Sequence, residues 1–322
     1  MGTVAYSTDA QNKLEDLSGI VLEPGENPYQ AFIQACGNDP EVIRSLYQAH
    51  RMRRNAQQKD KFLSPTYAGL VIDQVLLRLE NPTIEPGFRD ERNCLVFWAR
   101  PPHHILELAS KVQAMLQEAS PKLWLMPLSR MHLTTLEIIF SKTPEEIDSL
   151  VSTLRPAIPA IASYTLTHRS RLVKPMVSYD LSAFALSFVP ASGERVASAA
   201  PAAPDAVKKK GLVVEGDGYT YHHLRRDVFD RVQAAGLDVT SRYQVPSAHI
   251  TLGRYLVEDG HDTPEKREEW VRAIDGVNAF LEQTVWDTER GEWIVGQEKG
   301  LDARCGALWY GGGRTIMLGE GF

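Results

Sequence analysis

Two short segments of the chain place a histidine two residues before a threonine within an otherwise apolar run. One reads Met131-His132-Leu133-Thr134-Thr135-Leu136, and the other reads Ala248-His249-Ile250-Thr251-Leu252. Side chains alternate between the two faces of an extended strand, so each segment presents an imidazole and a hydroxyl on the same face. Two such strands side by side would bring together two groups that titrate near neutral pH and two hydroxyl donors.

This combination of groups suits acid-base chemistry at a phosphodiester. Cleavage requires one proton to leave the attacking oxygen and another to reach the leaving oxygen. Two histidines with pKa values near about 6.5 can hold one neutral and one protonated member at physiological pH. The threonine hydroxyls would donate hydrogen bonds to the non-bridging oxygens as charge develops on them. The scheme requires neither a metal ion nor an organic cofactor.

A third His-x-Thr triplet shows that the pattern alone is a weak signal. His261-Asp262-Thr263 precedes Pro264 in a polar turn. There Thr263 is predicted to cap a helix, and His261 is expected to be a solvated loop residue. The other two triplets differ because apolar residues flank them and a proline-containing segment leads into each.

Length, composition and charge restrict the class of protein. The 322 residues carry a formal net charge of -6 and are 43% hydrophobic and 24% charged. These values are typical of a soluble globular protein with a large core. The negative balance argues against long duplex DNA as the main partner, since phosphate neutralisation needs a basic surface. A small nucleotide or an RNA 3' end in a locally basic cleft remains compatible with it.

Cysteine usage and hydropathy indicate the compartment. Cys36, Cys94 and Cys305 are far apart and lack the spacing of a zinc site or a disulfide framework. The start of the chain has no apolar core of signal-peptide length, and no later run is long enough to span a bilayer. We therefore expect a cytoplasmic or nuclear protein with no membrane partner. The sequence does not indicate the oligomeric state.

Residues 1–92 are predicted to form an N-terminal helical extension. One helix should begin at Asp39-Pro40-Glu41, continue through the basic residues Arg51, Arg53 and Arg54, and end in the polar stretch 57–61. A second helix is predicted from Tyr67 to Leu79. The extension either packs on the rest of the protein or forms a basic arm that faces RNA.

From residue 93 onward the pattern changes to strands alternating with helices, which predicts a second domain over residues 93–322 with lobes at about 93–190 and 219–322. Its expected elements are strands at 94–98, 164–173 and 184–189, helices at 103–118, 221–235 and from Thr263 to Leu281, a helix capped by Thr143, the two His-x-Thr strands, and strands near Trp293, Leu308 and Ile316. The Ala-, Pro- and Lys-rich segment at about 191–218 is predicted to be a flexible loop between the lobes.

The two paired triplets resemble the His-x-Thr/Ser-x motifs of the two-histidine (2H) phosphoesterase superfamily, in particular its RNA ligase/cyclic nucleotide phosphodiesterase-like branch. The matching residues are His132-Leu133-Thr134-Thr135 and His249-Ile250-Thr251-Leu252, and the resemblance extends over about residues 93–322. It implies an α+β, bilobal fold, in which two pseudo-symmetric lobes of antiparallel strands with packed helices surround a central cleft. The N-terminal helical extension is additional to that core.

The same resemblance implies roles for four residues and a class of substrate. His132 and His249 would be the acid-base pair, and Thr134 and Thr251 would contact the substrate phosphate. The implied activity is a metal-independent phosphodiesterase acting on 2',3'-cyclic phosphates of nucleotides or RNA ends. A 3'-end RNA exonuclease, a 2',5'-phosphodiesterase and a catalytically inactive nucleotide- or RNA-binding module remain alternatives, as does an unrelated α/β protein.

Aromatic residues near the second motif and near the end of the chain are further candidates. Tyr243, Trp309 and Tyr310 are candidates for base stacking or for lining the cleft, because aromatic rings bind bases of any sequence. Packing in the core or in a hairpin is the alternative for each. Gly311-Gly312-Gly313 lacks the lysine and helix of a phosphate-binding loop, so it is predicted to form a tight hairpin turn.

Overall fold

A computed structural model describes residues 26–194, 216–240 and 245–322. Its strands are β1 (Asn93–Ala99), β2 (Trp124–Leu125), β3 (Leu133–Lys142), β4 (Arg171–Tyr179), β5 (Ala183–Pro190), β6 (Ala248–Arg254), β7 (Trp293–Ile294), β8 (Lys299–Ala307) and β9 (Arg314–Glu320). Its α-helices are α1 (Pro28–Ala35), α2 (Pro40–Leu63), α3 (Gln74–Glu80), α4 (His103–Ala119), α5 (Pro144–Leu154), α6 (Ile158–Ala162), α7 (Tyr221–Ala234) and α8 (Pro264–Thr284).

All of these strands join one antiparallel sheet. Its order is β7-β4-β5-β6-β3-β1-β8-β9, with β2 paired to β6 beside this path. The two His-x-Thr strands, β3 and β6, are therefore neighbours at the centre. The order does not follow the chain: β5 lies beside β6, with β4 next to β5, and β8 lies beside β1. Strands from the two predicted lobes are thus interleaved within the sheet.

Helix starts follow the capping residues that the sequence indicated. Asp39 accepts hydrogen bonds from the amides of Glu41 and Val42 at the start of α2, and Thr143 forms a capping box with Glu146 at the start of α5. Thr263 caps α8 as predicted. These side chains satisfy amides that have no partner within the helix. The mixed composition of helices and antiparallel sheet confirms the α+β class.

Two predicted elements were wrong in extent. The helix predicted from Tyr67 to Leu79 begins only after Asp73, because the preceding segment is held extended: the amide of Leu70 donates to Glu258 (2.6 Å) and that of Val71 to the carbonyl of Leu181 (2.8 Å). Tertiary hydrogen bonds here override a helical pattern of apolar residues.

The strand predicted over 164–173 begins only at Arg171. Residues Tyr164–Leu166 form a 3-10 turn instead. Tyr164 stacks on His168 with 3.9 Å between ring centroids, and its hydroxyl donates to Asp227 at 2.9 Å. These contacts hold the segment in a compact turn.

The N-terminal helices pack into the same apolar core as the sheet. Tyr29 and Tyr47 are almost fully buried in it. Of the basic residues on α2, Arg51 is buried and donates to the carbonyls of Lys174 and Ser187, and Arg54 binds Asp180 at 2.6 Å. These contacts favour the packed extension over an arm that faces RNA. No helix in the described part of the chain is long and apolar enough to cross a membrane.

Candidate active site

The four side chains of the two motifs meet on one face of the sheet. Leu133 of β3 pairs with Ile250 of β6 in antiparallel register. Continuing that register by one residue in each direction places His132 opposite Thr251 and Thr134 opposite His249. Leu133 and Ile250 are buried on the core face, whereas the four motif side chains lie on the other face and are partly exposed. Each histidine is thus adjacent to the threonine of the other strand, within the spacing of cross-strand pairs.

A β-bulge in β3 places the acidic side chain of Glu137 on the same face as the four motif side chains, called the motif face below. Trp98 of β1 pairs with Thr134, but Phe97 pairs with Leu136, so Thr135 is an extra residue without a partner on β1. After the extra residue the alternation is reversed, and Glu137 pairs with Val96 on the motif face. Without the bulge, Glu137 would lie on the core face with Leu133.

Helix α7 satisfies the backbone of this bulge. The hydroxyl of Tyr221 donates to the carbonyl of Thr134 at 2.9 Å, and Nε of Arg225 donates to the carbonyl of Thr135 at 3.2 Å. Arg225 also donates to the carbonyl of Val245, four residues before His249, at 3.0 Å. Both side chains are almost fully buried. One buried arginine therefore joins the bulge to the lead-in of β6.

The motif face of β3 and β1 forms a small, partly open cleft. Its lining combines the first motif with aromatic and apolar residues: Cys94, Val96, Trp98, His132, Thr134, Glu137, Leu308 and Trp309. Small binding sites commonly pair such apolar walls with a few convergent polar groups.

His132 is held in a defined orientation. Its ring stacks on the indole of Trp98, with 3.7 Å between centroids and 14° between planes. Nδ1 lies 2.8 Å from the carbonyl oxygen of Arg130, which can only accept, so Nδ1 carries a proton and donates it. In the neutral imidazole the lone pair is then on Nε2, which makes Nε2 the nitrogen able to accept a proton.

Two arginines and one aspartate lie beside this stack. Asp302 is almost fully buried on β8, directly opposite Trp98, and accepts a hydrogen bond from Nε of Arg100 at 2.9 Å. Arg304 approaches the same carboxylate at 3.4 Å and also donates to the carbonyls of Gly312 and Gly313. Both guanidinium groups lie about 5 Å from the Trp98 ring centre, at 5.1 and 5.0 Å. Asp302 thus holds two cations close to His132.

These surroundings lower the pKa of His132 well below its ordinary value. Loss of solvent around the ring is the largest cause, and the positive charges of Arg100, His249 and Arg304 act in the same direction. The hydrogen bond to the Arg130 carbonyl opposes them because it favours the protonated ring. Without a bound anion, His132 is therefore neutral at physiological pH.

His249 has a different environment. Its Nδ1 lies 2.9 Å from the hydroxyl of Ser247, and Ser187 of β5 is its cross-strand neighbour on the side away from β3. Neither contact is charged. The positive charge of His249 is one of the causes that lower the pKa of His132, so the two rings lie near each other.

The aromatic candidates lie in different places. Trp309 is partly exposed and lines the cleft. Tyr310 is buried away from it, since its hydroxyl donates to Asp73 at 2.8 Å and accepts from Arg92 at 3.1 Å. Tyr243 lies outside the described residues. The predicted turn at Gly311-Gly312-Gly313 connects β8 and β9 as a hairpin.

The expectation that His261 is solvated was wrong. Its side chain is 1% exposed and contacts the rings of Phe62, Tyr255 and Trp270. Neither ring nitrogen has a hydrogen-bond partner in the described part of the protein. Burial lowers the pKa of His261 to about 4. His261 does not belong to the cleft lining and has a packing role.

Five residues around the candidate site were not predicted from the sequence: Trp98, Arg100, Glu137, Asp302 and Arg304. A signal existed for two of them: Asp302 and Arg304 alternate with Leu301, Ala303 and Cys305, as polar residues do on one face of a strand. The apolar run that contains Trp98 predicts a strand and gives no indication of a contact with His132. Within the described ranges, no group of three or more His, Cys, Asp or Glu side chains is placed to hold a metal ion.

No family model matches the sequence, and no curated protein sequence matches it. Among solved structures, Usb1 from Kluyveromyces marxianus aligns with a TM-score of 0.35 and 11% identity, over 70% of this chain and 98% of that chain. A TM-score of this size does not establish a shared fold.

Proposed function

We propose that the protein is a metal-independent phosphodiesterase that opens 2',3'-cyclic phosphates of nucleotides or RNA 3' ends. The observation that carries the proposal is the pairing of Leu133 with Ile250, since this register brings two histidines and two threonines together on one accessible face. A pair of titratable groups and a pair of hydroxyl donors are what in-line attack at a phosphodiester requires.

In this mechanism His132 is the general base. Its Nδ1 proton is committed to the Arg130 carbonyl, and its lowered pKa leaves Nε2 able to accept a proton from the attacking water. A bound phosphate would offset part of the positive charge of Arg100 and Arg304, which raises the basicity of His132 when substrate is present. His249, in its protonated form, would deliver a proton to the departing ribose oxygen.

Thr134 and Thr251 would donate hydrogen bonds to the non-bridging oxygens. Each hydroxyl lies opposite the histidine of the other strand, so the phosphorus centre would be surrounded by alternating imidazole and hydroxyl groups. Donors fixed in this way stabilise the charge that develops as phosphorus becomes five-coordinate. The backbone of Thr134 is itself fixed by the Tyr221 hydroxyl.

We further propose that the two halves of the sheet act as the two lobes around the substrate. One half comprises β7, β4, β5 and β6, and the other comprises β3, β1, β8 and β9. Each half supplies one His-x-Thr strand. A protein of this activity would act where RNA is processed, in the cytoplasm or the nucleus.

The test is hydrolysis of the four nucleoside 2',3'-cyclic phosphates in the presence of EDTA, with the product isomers resolved. We expect turnover that survives EDTA and has a bell-shaped pH profile. His132→Ala and His249→Ala should each lower kcat by about a thousandfold, the scale of general acid-base catalysis. His103→Ala, which removes an exposed histidine on α4, is the matched control and should leave activity unchanged.

Other outcomes are equally informative. Full activity in either site variant would remove that histidine from the mechanism. Loss of activity with EDTA would indicate a bound metal ion. Nucleotide binding without turnover by the unmutated protein would favour a binding module.

A further inference from the structure

The strands that carry the two motifs are joined at the pair of Leu133 and Ile250. Each of these residues directly follows the histidine of its motif. Because the strands run in opposite directions, an approximate twofold axis passes through this pair. A residue at a given distance after His132 therefore corresponds to the residue at the same distance after His249. This correspondence identifies which groups around β3 and β6 have equivalent positions.

Gln113 of α4 bonds the segment before the first motif to the strand of the second motif. Its side-chain amide donates to the carbonyl of Met126 at 2.9 Å and to that of Leu252 at 2.8 Å. Met126 lies six residues before His132, and Leu252 lies three residues after His249. The backbone amide of Met126 also donates to the Leu252 carbonyl at 2.9 Å. Gln113 is buried, so these hydrogen bonds are made away from water.

Arg225 of α7 makes the equivalent connection for the other motif. Its Nη1 donates to the carbonyl of Val245 at 3.0 Å, and its Nε donates to that of Thr135 at 3.2 Å. Val245 lies four residues before His249, and Thr135 lies three residues after His132. Each of the two side chains thus binds one carbonyl before a motif and one carbonyl three residues after the histidine of the other motif.

A side chain that binds two segments at once restricts how those segments move relative to each other. Buried carbonyl oxygens need donors, and an amide or a guanidinium group can supply more than one. Catalytic groups must be held within about 0.5 Å of the productive geometry. A displacement of roughly 1 Å can lower the rate about a hundredfold, even when its cause is remote from the reacting atoms. Loss of these hydrogen bonds would therefore be visible in turnover.

We propose that Gln113 and Arg225 are equivalent positioning residues, which hold the two His-x-Thr motifs at the separation that catalysis requires. Neither side chain lines the cleft, so both act through the backbone. Nη2 of Arg225 also donates to the hydroxyl of Tyr29 at 3.0 Å, so α1 of the N-terminal extension supports this side chain. The inference rests on the proposed function for its catalytic readout, but the separation of the strands can be measured without turnover.

The first experiment introduces Gln113→Met, which removes both side-chain hydrogen bonds with little change in volume. We expect kcat to fall by about tenfold to a hundredfold and KM to change by less than about threefold, at a temperature where circular dichroism shows the variant to be folded. Gln117→Met, at an exposed position on the same helix, is the matched control and should keep full activity. Unchanged kcat in Gln113→Met would overturn the proposal, since a residue that only stabilises the fold would give this result. A change confined to KM would overturn it as well.

The second experiment introduces Arg225→Lys, which keeps the positive charge. It replaces the planar guanidinium with a single ammonium group, which cannot span both carbonyls. The kcat should fall by a factor similar to that in Gln113→Met, because the two residues are equivalent. Arg272→Lys, at an exposed position on α8, is the control. Unchanged kcat in Arg225→Lys would overturn the proposal. If Arg225→Lys fails to fold, Gln113→Met decides.

A disulfide measures the separation of the strands independently of catalysis. His132 and Thr251 lie opposite each other in the register of β3 and β6, and facing cysteines form a disulfide when their Cα atoms are about 4.4 to 6.8 Å apart. We expect the double variant His132→Cys/Thr251→Cys to form this disulfide in a buffer of reduced and oxidised glutathione. Adding Gln113→Met should lower the equilibrium constant by about tenfold, because the bond is sensitive to geometry. Adding Gln117→Met should leave it unchanged.

The disulfide separates failure of this proposal from failure of the proposed function. An equal equilibrium constant with and without Gln113→Met would overturn the positioning role, whether or not a cyclic phosphate is turned over. Absence of the disulfide in both proteins would contradict the register of β3 and β6, and with it the proposal. A lowered constant, together with no turnover of any cyclic phosphate by the unmutated protein, would support the positioning role and contradict the proposed function.

Discussion

His132 and His249 occupy equivalent positions in their motifs, His132 immediately before β3 and His249 within β6, yet the side chains around them differ. His132 stacks on Trp98, donates to a backbone carbonyl and lies near two arginines held by Asp302. His249 contacts the hydroxyl of Ser247 and lies beside Ser187. The motif is the same, but a low-polarity, cationic environment keeps His132 neutral, whereas His249 is hydrogen-bonded to the hydroxyl of Ser247.

This difference indicates how two identical residues can take different roles. A base and an acid must be in opposite protonation states before the reaction, and their surroundings set those states. The environment of His132 favours the neutral form, which suits a base. The assignment of the base and the acid therefore depends on groups outside both motifs.

A substrate with a good leaving group should reveal the largest difference between His132 and His249. A nitrophenolate leaves without protonation, so a phosphodiester with this group needs a base but no acid. We expect His249→Ala to recover to within about tenfold of the unmutated rate on such a substrate, and His132→Ala to remain about a thousandfold slower. Steady-state kinetics on both substrates measure this difference. The reverse pattern would exchange the two roles, and equal recovery would show that neither residue is the acid.

The two threonines test whether the phosphate contacts are also unequal. Thr134→Val and Thr251→Val each remove one hydroxyl with little change in volume. Loss of one donor to developing charge should lower kcat by about a hundredfold with little change in KM. Thr135→Val, next in sequence but buried at the bulge, is the control and should retain activity. A rise in KM with unchanged kcat would limit the role of the altered threonine to substrate binding.

Replacement of Arg100 tests whether nearby positive charge lowers the pKa of His132. The positive charge of Arg100 helps to keep the pKa of His132 low, so Arg100→Met should raise that pKa. As the pH falls, His132 becomes protonated and activity is lost. In Arg100→Met this loss should occur at a higher pH than in the unmutated protein. We expect the acidic limb of the kcat/KM profile to move up by about half a pH unit. Arg89→Met, at an exposed position, is the control. An unmoved limb would mean that another group determines it.

Protonation of His261 should have the smallest effect, and this effect is on folding stability rather than on catalysis. The His261 pKa of about 4 in the folded state is below the ordinary value of 6.5, so the unfolded chain binds the proton more readily. The contribution of neutral His261 to the free energy of unfolding is fully present above pH 6.5 and is lost as the pH falls towards 4. From pH 7 to pH 5 this residue should cost about 2 kcal/mol of unfolding free energy.

His261→Phe cannot be protonated and should not show this loss, while retaining full activity at pH 7. Urea unfolding at the two pH values measures the difference between this variant and the unmutated protein. The same pH dependence in both proteins would show that His261 is not kept neutral by folding.

Much of the local structure was predictable because its causes are local. Asp39 and Thr143 cap the helices that follow them, and Thr263 does so as well, although the prediction for His261, two residues earlier, was wrong. The two His-x-Thr strands were predicted from alternation over a few residues. The segment before Asp73 was misread because its backbone binds distant residues, which a helical pattern does not reveal.

The sequence alone determined that two strands each carry an imidazole and a hydroxyl on one face, since side-chain alternation depends only on the extended backbone. The tertiary structure decided that these strands are neighbours in a register that pairs Leu133 with Ile250. It also decided that Thr135 bulges out and turns Glu137 into the cleft, and that Asp302 holds two arginines beside His132. Strand register, bulges and cross-strand ion pairs depend on hydrogen bonds between distant parts of the chain, which no local pattern specifies.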